Sequence, residues 1–214
     1  MITSSAFAPV LLAGLAVAFF HAAAPTHWLP FVLVGRAQGW TTGRTLGVAA
    51  LAGFGHAVFT AILGVAVTYA GLIIGPRLGE LFPRVVGAGL VVLGLYYVIR
   101  HLLRPADLTM APPRPRASDT AAIVSLVTLL TFTPSEAVLP VYVANIEHGW
   151  GGFAVLATAL IATTTAAMVL FTAVFMAGAQ RLRLEVLERY ELVVVGAGLC
   201  LLGLFVAFQA GPTT

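Results

Sequence analysis

Val85–Leu95 reads VVGAGLVVLGL and Val194–Leu204 reads VVGAGLCLLGL, near copies that agree at nine of eleven positions and lie 109 residues apart. The same step of 109 carries Pro25-Thr26-His27 onto Pro134-Ser135-Glu136, and a step of 110 carries Gly39-Trp40 onto Gly149-Trp150. The chain therefore reads as a duplicated unit, and its fold must be buildable from two similar halves. Each half sets a Pro-flanked ionisable residue within apolar sequence. Duplication with a broken, polar helix in matching positions points to a transport site near the midplane of a bilayer.

Composition names the solvent. The 214 residues are 60% hydrophobic and only 9% charged, against roughly 25% charged in soluble domains. Several apolar runs exceed the ~18 residues that span a bilayer. This predicts an integral membrane protein with no separate soluble domain. All eleven basic residues are Arg, and no folded basic face exists to bind nucleic acid. The single cysteine, Cys200, excludes a disulfide, a Cys-x-x-Cys pair and a thiolate metal cage; it is expected to pack as a small apolar residue. The N-terminal apolar stretch has no Arg before Arg36 and continues past Ala22-Ala23-Ala24 to Val34, so it reads as a retained first span rather than a signal peptide.

Six spans are expected, roughly Phe7–Val34, Thr45–Ile74, Leu81–Leu103, Ala121–Asn145, Phe153–Ala179 and Val186–Phe208. Residues 104–120, rich in Pro and Arg, read as a cytoplasmic linker between a first three-helix repeat (1–103) and a second (121–214). Nine of the eleven Arg fall on the loops after spans 1, 3 and 5, and Arg77 and Arg84 fall on the other side. The positive-inside rule then places both termini outside the cytoplasm. Three spans per repeat is an odd number, so the second copy enters from the opposite side. The expected fold class is an all-α polytopic membrane protein of six transmembrane helices in two inverted three-helix repeats, with helices 1 and 4 broken.

The candidate site residues cluster at those breaks. His21 and His27 flank Pro25 in span 1, six residues apart. On a straight helix they would face about 120° apart. Pro25 and Pro30 are expected to break the helix and free the carbonyls of His21 and Thr26, which lets the two rings converge. Span 2 carries His56 between small residues, Gly53-Phe54-Gly55-His56-Ala57, which allow close helix approach. Span 4 carries Glu136 between Pro134 and Pro140, an intramembrane acid and so a functional-site hypothesis by default. His21, His27, His56 and Glu136 are the expected metal ligands, since imidazole suits nickel, cobalt, zinc and copper and a carboxylate completes a harder shell. Thr26, Thr133, Ser135 and Thr165 are expected to line the cavity. Taken singly, a buried His is more often a satisfied core residue; the set of four in matched, Pro-broken positions carries the argument. Glu147-His148 reads as a solvated turn, and Trp40 and Trp150 read as interfacial anchors.

The His21–His27 stretch resembles the signature of the nickel/cobalt transporter (NicO/NiCoT) family, a His, four residues, then Asp-His; here Thr26 stands in the Asp position. Gly55-His56 looks like that family's second-helix Gly-His motif, and Phe132–Glu136 is loosely similar to its Phe-Asp-Thr-x-x-Glu segment. The six-helix duplication also resembles the wider LysE-type superfamily, which includes the CcdA/DsbD thiol-electron carriers and urease-accessory-like membrane proteins. The resemblance implies a transporter of metal cations in a prokaryotic plasma (inner) membrane.

The function expected is a secondary transporter or exporter of a divalent transition-metal cation. The metal is the transported substrate, and no organic cofactor is expected. The expected partners are the lipid bilayer and the cation, with protons as a coupling ion and a homodimer left open; nucleic acid is excluded. A transporter of a small solute or anion, with His and Arg as counter-charges, is the alternative. A third reading is a non-transporting scaffold for metalloprotein or cytochrome assembly. No enzyme is expected: one thiol cannot relay electrons, and no His-Glu-x-x-His is present.

Overall fold

The computed structural model describes residues 4–79, 81–103, 118–133, 135, 137–178 and 184–209. Every regular element there is helical. In chain order they are α1 (Ser4–Ala23), α2 (Pro25–Ala37), α3 (Thr42–Leu78), α4 (Leu81–Leu103), α5 (Asp119–Thr131), α6 (Leu139–Ala144), a 3₁₀ turn (Ile146–His148), α7 (Gly149–Met176) and α8 (Leu184–Gln209). Pro134 and Glu136 lie outside the described residues. So do residues 104–117 of the expected linker, with Arg104, Arg114 and Arg116, and residues 179–183, with Arg181 and Arg183.

Local chemistry explains the element boundaries. Ala24 takes an extended ψ of 134°, because the residue before a proline is steered out of the α region. Pro25 then opens α2 as its first residue, where its missing N–H costs nothing. The break does not leave the His21 carbonyl free, contrary to the sequence expectation for that group. The Ala24 N–H donates to the His21 carbonyl at 3.2 Å, and the Trp28 indole donates to the Ala23 carbonyl at 2.8 Å. Nor does Pro30 break the helix. It lies inside α2 as its sixth residue and the helix runs on to Ala37, so the bond its missing N–H withholds from the Thr26 carbonyl is lost without ending the helix. Pro140 stands in the first turn of α6 and so starts a helix rather than ending one. Thr41 caps α3, its hydroxyl accepting from the Arg44 N–H at 3.3 Å; Ser118 caps α5 by the same device, accepting from Ala121 at 3.2 Å.

Four stretches are long and apolar enough to cross a membrane: Phe7–Ala37, Thr42–Leu78, Leu81–Arg100 and Ile146–Met176. Asp119–Thr131 and Val195–Phe208 are apolar but shorter. With 37 residues, α3 is about 55 Å long, well beyond a hydrocarbon core of about 30 Å. Large apolar side chains such as Leu12, Ile62, Tyr69, Val92, Leu129 and Phe208 stand exposed along the helices. Such a surface is compatible with contact to a lipid bilayer.

The halves interlock. α1 packs on α7 while α5 packs on α3, and α2 packs on α7 while α6 packs on α3. Each broken helix is thus covered by the long helix of the other half. The near-copy segments pack on one another in α4 and α8. A Cβ at Gly87 would lie 2.5 Å from the Gly203 carbonyl oxygen, and one at Gly94 would lie 2.5 Å from that of Gly196. The pairing falls on one helix as it rises on the other, so α4 and α8 run antiparallel. Glycines here let the backbones touch, the way small residues join helices in lipid.

Candidate metal centre

His21 is in the last turn of α1 and His27 in the first turn of α2, so the break at Ala24 sits between them. The two ring centroids are 4.3 Å apart. His56 reaches the pair from α3, at 6.1 Å from His21 and 5.5 Å from His27. One nitrogen from each ring lies within 4.8 Å of the others. Among the described residues, this is the one cluster of metal-ligating side chains so arranged. His27 and His56 are buried, and His21 is half-buried.

The neighbours of His56 set its role. On α3 it follows Val48, Ala49, Ala52 and Gly53 along one buried face. A Cβ at Gly53 would lie 2.7 Å from Met168 Sδ on α7, and one at Gly55 would lie 2.6 Å from Thr131 Oγ1 on α5. Both neighbouring helices therefore approach to backbone distance on either side of the imidazole. The His56 Nδ1 lies 3.1 Å from the Leu130 carbonyl. A carbonyl only accepts, so Nδ1 carries the proton and Nε2 keeps its lone pair. That Nε2 is buried and has no hydrogen-bond partner. A ring held by one N–H on a carbonyl, with the other nitrogen free, is in the tautomer and orientation of a metal ligand. His27 Nδ1 lies 3.3 Å from Thr26 Oγ1.

The remaining sequence candidates divide. Thr26 is exposed and touches the site only through His27. Thr133 is exposed too, and its hydroxyl donates to the Leu129 carbonyl at 2.6 Å, turned back onto the chain before it, while its backbone lies beside His56. Ser135 is buried, its backbone N–H donating to Thr60 Oγ1 at 3.4 Å. Thr165 lines an apolar groove of about 900 Å³ between α3 and α7, together with Phe54, Ile161 and Val169. That groove is a different place from the imidazole cluster.

Three features escaped the sequence reading. The Leu130 carbonyl that orients His56 belongs to an apolar residue and leaves no signal in composition. Trp40, expected as an interfacial anchor, is buried, and its indole donates to Asp119 Oδ1 at 2.9 Å. Arg44 donates to the other oxygen at 2.6 Å. The Trp40 indole first, and Arg44 with it, hold the Asp119 carboxyl below its usual range. His148 is half-buried, with its ring 5.2 Å from Phe7, so it is not simply a solvated turn residue. The duplicated Gly-Trp pair was the one available hint to the Trp40 contact.

Fold and site together define an all-helical protein, its long apolar helices compatible with a transmembrane location, with three imidazoles gathered at a helix break. No protein-family model, curated protein or solved structure matches the chain.

Proposed function

We propose that the chain is a secondary transporter or exporter of a divalent transition-metal cation of the nickel, cobalt and zinc class, which binds as cargo to His21, His27 and His56. The observation that carries this is the convergence of three imidazole nitrogens within 4.8 Å from two sides of a helix break and a third helix. Imidazole is the ligand these metals favour. Bonds of about 2.1 Å to a tetrahedral ion set its nitrogens about 3.4 Å apart, so small ring rotations close the set. Three protein ligands leave a coordination position open for exchange, which suits a carried ion. Glu136, the repeat mate of His27, is the acid assigned to complete the shell or to couple protons.

The reading includes six spans in two inverted repeats within a prokaryotic plasma membrane. The crossed packing of α1 on α7 and α5 on α3 supports it, as does the antiparallel register of α4 and α8. On this reading α5 and α6 together make the fourth span, as α1 and α2 make the first. Arg36 is exposed and donates to the Phe175 carbonyl at 2.6 Å, so this Arg does not serve the anion alternative as a counter-charge facing inward.

The test is nickel(II) and zinc(II) titration of the purified protein by calorimetry, paired with flux in proteoliposomes, for wild type and for His27→Ala with His56→Ala. Loss of both binding and flux in the double variant is expected. Unchanged binding would end the ligand assignment.

A further inference from the structure

The buried face of α3 does not stop at His56 but continues through Thr60, Gly64, Thr68 and Gly71. Opposite it runs α6 with its 3₁₀ turn. A Cβ at Gly64 would lie 2.6 Å from the Tyr142 ring, and one at Gly71 would overlap the Ile146 side chain. The two segments therefore run side by side in the same direction, with Thr68 between the two contacts; Asn145 precedes Ile146 at the edge of the seam, its amide against Gly152 of α7.

Polar atoms in and beside this seam have no hydrogen-bond partner among protein groups. Ser135 is 2% exposed and Thr68 and Asn145 are 0% exposed. The hydroxyls of Ser135 and Thr68, and both amide atoms of Asn145, are buried without a hydrogen-bond partner. Just past the seam, where the turn meets Phe7 of α1 and Gly152 of α7, Nδ1 of His148 is buried without a protein partner as well. Burying such groups dry is costly, and polar residues kept within membrane helices mark substrate paths. The row joins the cluster through Thr60, one turn from His56 on the same face and bonded to the Ser135 N–H.

The opposite end of α3 is built differently. There Trp40 and Arg44 both bond Asp119, and Arg36 bonds the Phe175 carbonyl. One end of the molecule is tied across its halves by polar contacts, while at the other apolar side chains pack on the glycines of α3.

We propose that the α3–α6 seam is the closed half of the cation's path. When α6 and the turn after it move off α3, the cation passes between the three imidazoles and the His148 end. The oxygens of Ser135, Thr68 and Asn145 then replace part of its water shell, with the His148 imidazole as the outermost ligand. This rests on the transport reading above and adds a route and a gate to it.

The experiment uses the full chain in proteoliposomes with nickel(II) chloride as the probe. Thr68→Val with Asn145→Leu seals the seam with groups of similar size. Nickel binding in detergent is expected to stay at the wild-type affinity while flux falls by about tenfold or more. In a second arm, Asn145→Cys in a Cys200→Ala background is treated with a membrane-impermeant thiol reagent. Labelling from the face that bears His148, faster under a nickel gradient, is expected. Wild-type flux in the sealed variant overturns the proposal. So does a thiol at position 145 that stays unreactive, and that arm decides the matter if the sealed variant does not fold. Loss of nickel binding in the wild type would instead strike the transport reading, while the thiol still reports whether the seam opens.

Discussion

Cys200 Sγ lies 3.6 Å from the carbonyl oxygen of Val91, and these two residues are the same position in the two copies of the repeated segment. A residue facing its own repeat mate is the geometry of a local two-fold relation between α4 and α8. The glycine contacts on either side agree, since Gly87 meets Gly203 and Gly94 meets Gly196.

That register predicts a steric effect. A Cβ at Gly94 would lie 2.5 Å from the Gly196 carbonyl oxygen, a backbone atom that cannot turn aside. Gly94→Val is expected to push α4 off α8 and lower the melting temperature in detergent, whereas Gly89→Ala, where a Cβ would meet nothing within 4 Å, should melt with the wild type. Equal melting of all three proteins would refute the packing of α4 on α8.

Thr26 offers a gain of function. Its hydroxyl is the polar neighbour of His27 Nδ1. A carboxylate there accepts the Nδ1 proton more strongly and makes Nε2 a better ligand, an effect worth roughly tenfold or more in metal affinity. Thr26→Asp should therefore tighten nickel or zinc binding, and Thr26→Val should weaken it. Calorimetric titration in detergent gives the order, and an inverted order would count against His27 as a ligand.

Gly55 controls the orientation of His56. Any side chain there pushes on Thr131 and carries the neighbouring Leu130 carbonyl away from Nδ1. Gly55→Val should lower metal affinity by about 10–100-fold with helix content retained by circular dichroism. A Cβ at Gly47 would meet nothing within 4 Å, so Gly47→Ala is the control and should bind normally.

The Asp119 contacts predict an acid-side dependence of stability. The folded carboxyl is held below its ordinary value by Trp40 and Arg44. Its contribution is therefore present above the unfolded value, near 3.8, and is lost as pH falls through the folded one. Melting in detergent from neutral pH downward should fall less steeply for Asp119→Asn than for wild type. Because the ion pair is exposed, salt should shrink the difference. Parallel melting curves would show that the contact contributes nothing.

Much of this was legible before any coordinates. Pro25 acts on its own helix, so sequence alone predicted the break and the meeting of His21 with His27. The Gly-rich repeat predicted close packing because glycine leaves only backbone to approach. Pro30 misled, because its effect depends on where it falls in a helix whose start was not yet known. Thr133 misled for a similar reason: whether a hydroxyl faces a cavity or its own carbonyl depends on a neighbour's position.

What the chain determined by itself was local or compositional: apolar helices, a duplicated pattern, one helix interrupted between two imidazoles. Tertiary structure decided which segments meet. It set the Leu130 carbonyl against His56, closed α6 on the glycines of α3 and buried the Asn145 amide without a protein partner. The physical reason is that propensity and proline chemistry act within a turn or two, while a buried polar atom is satisfied or stranded by segments tens of residues away.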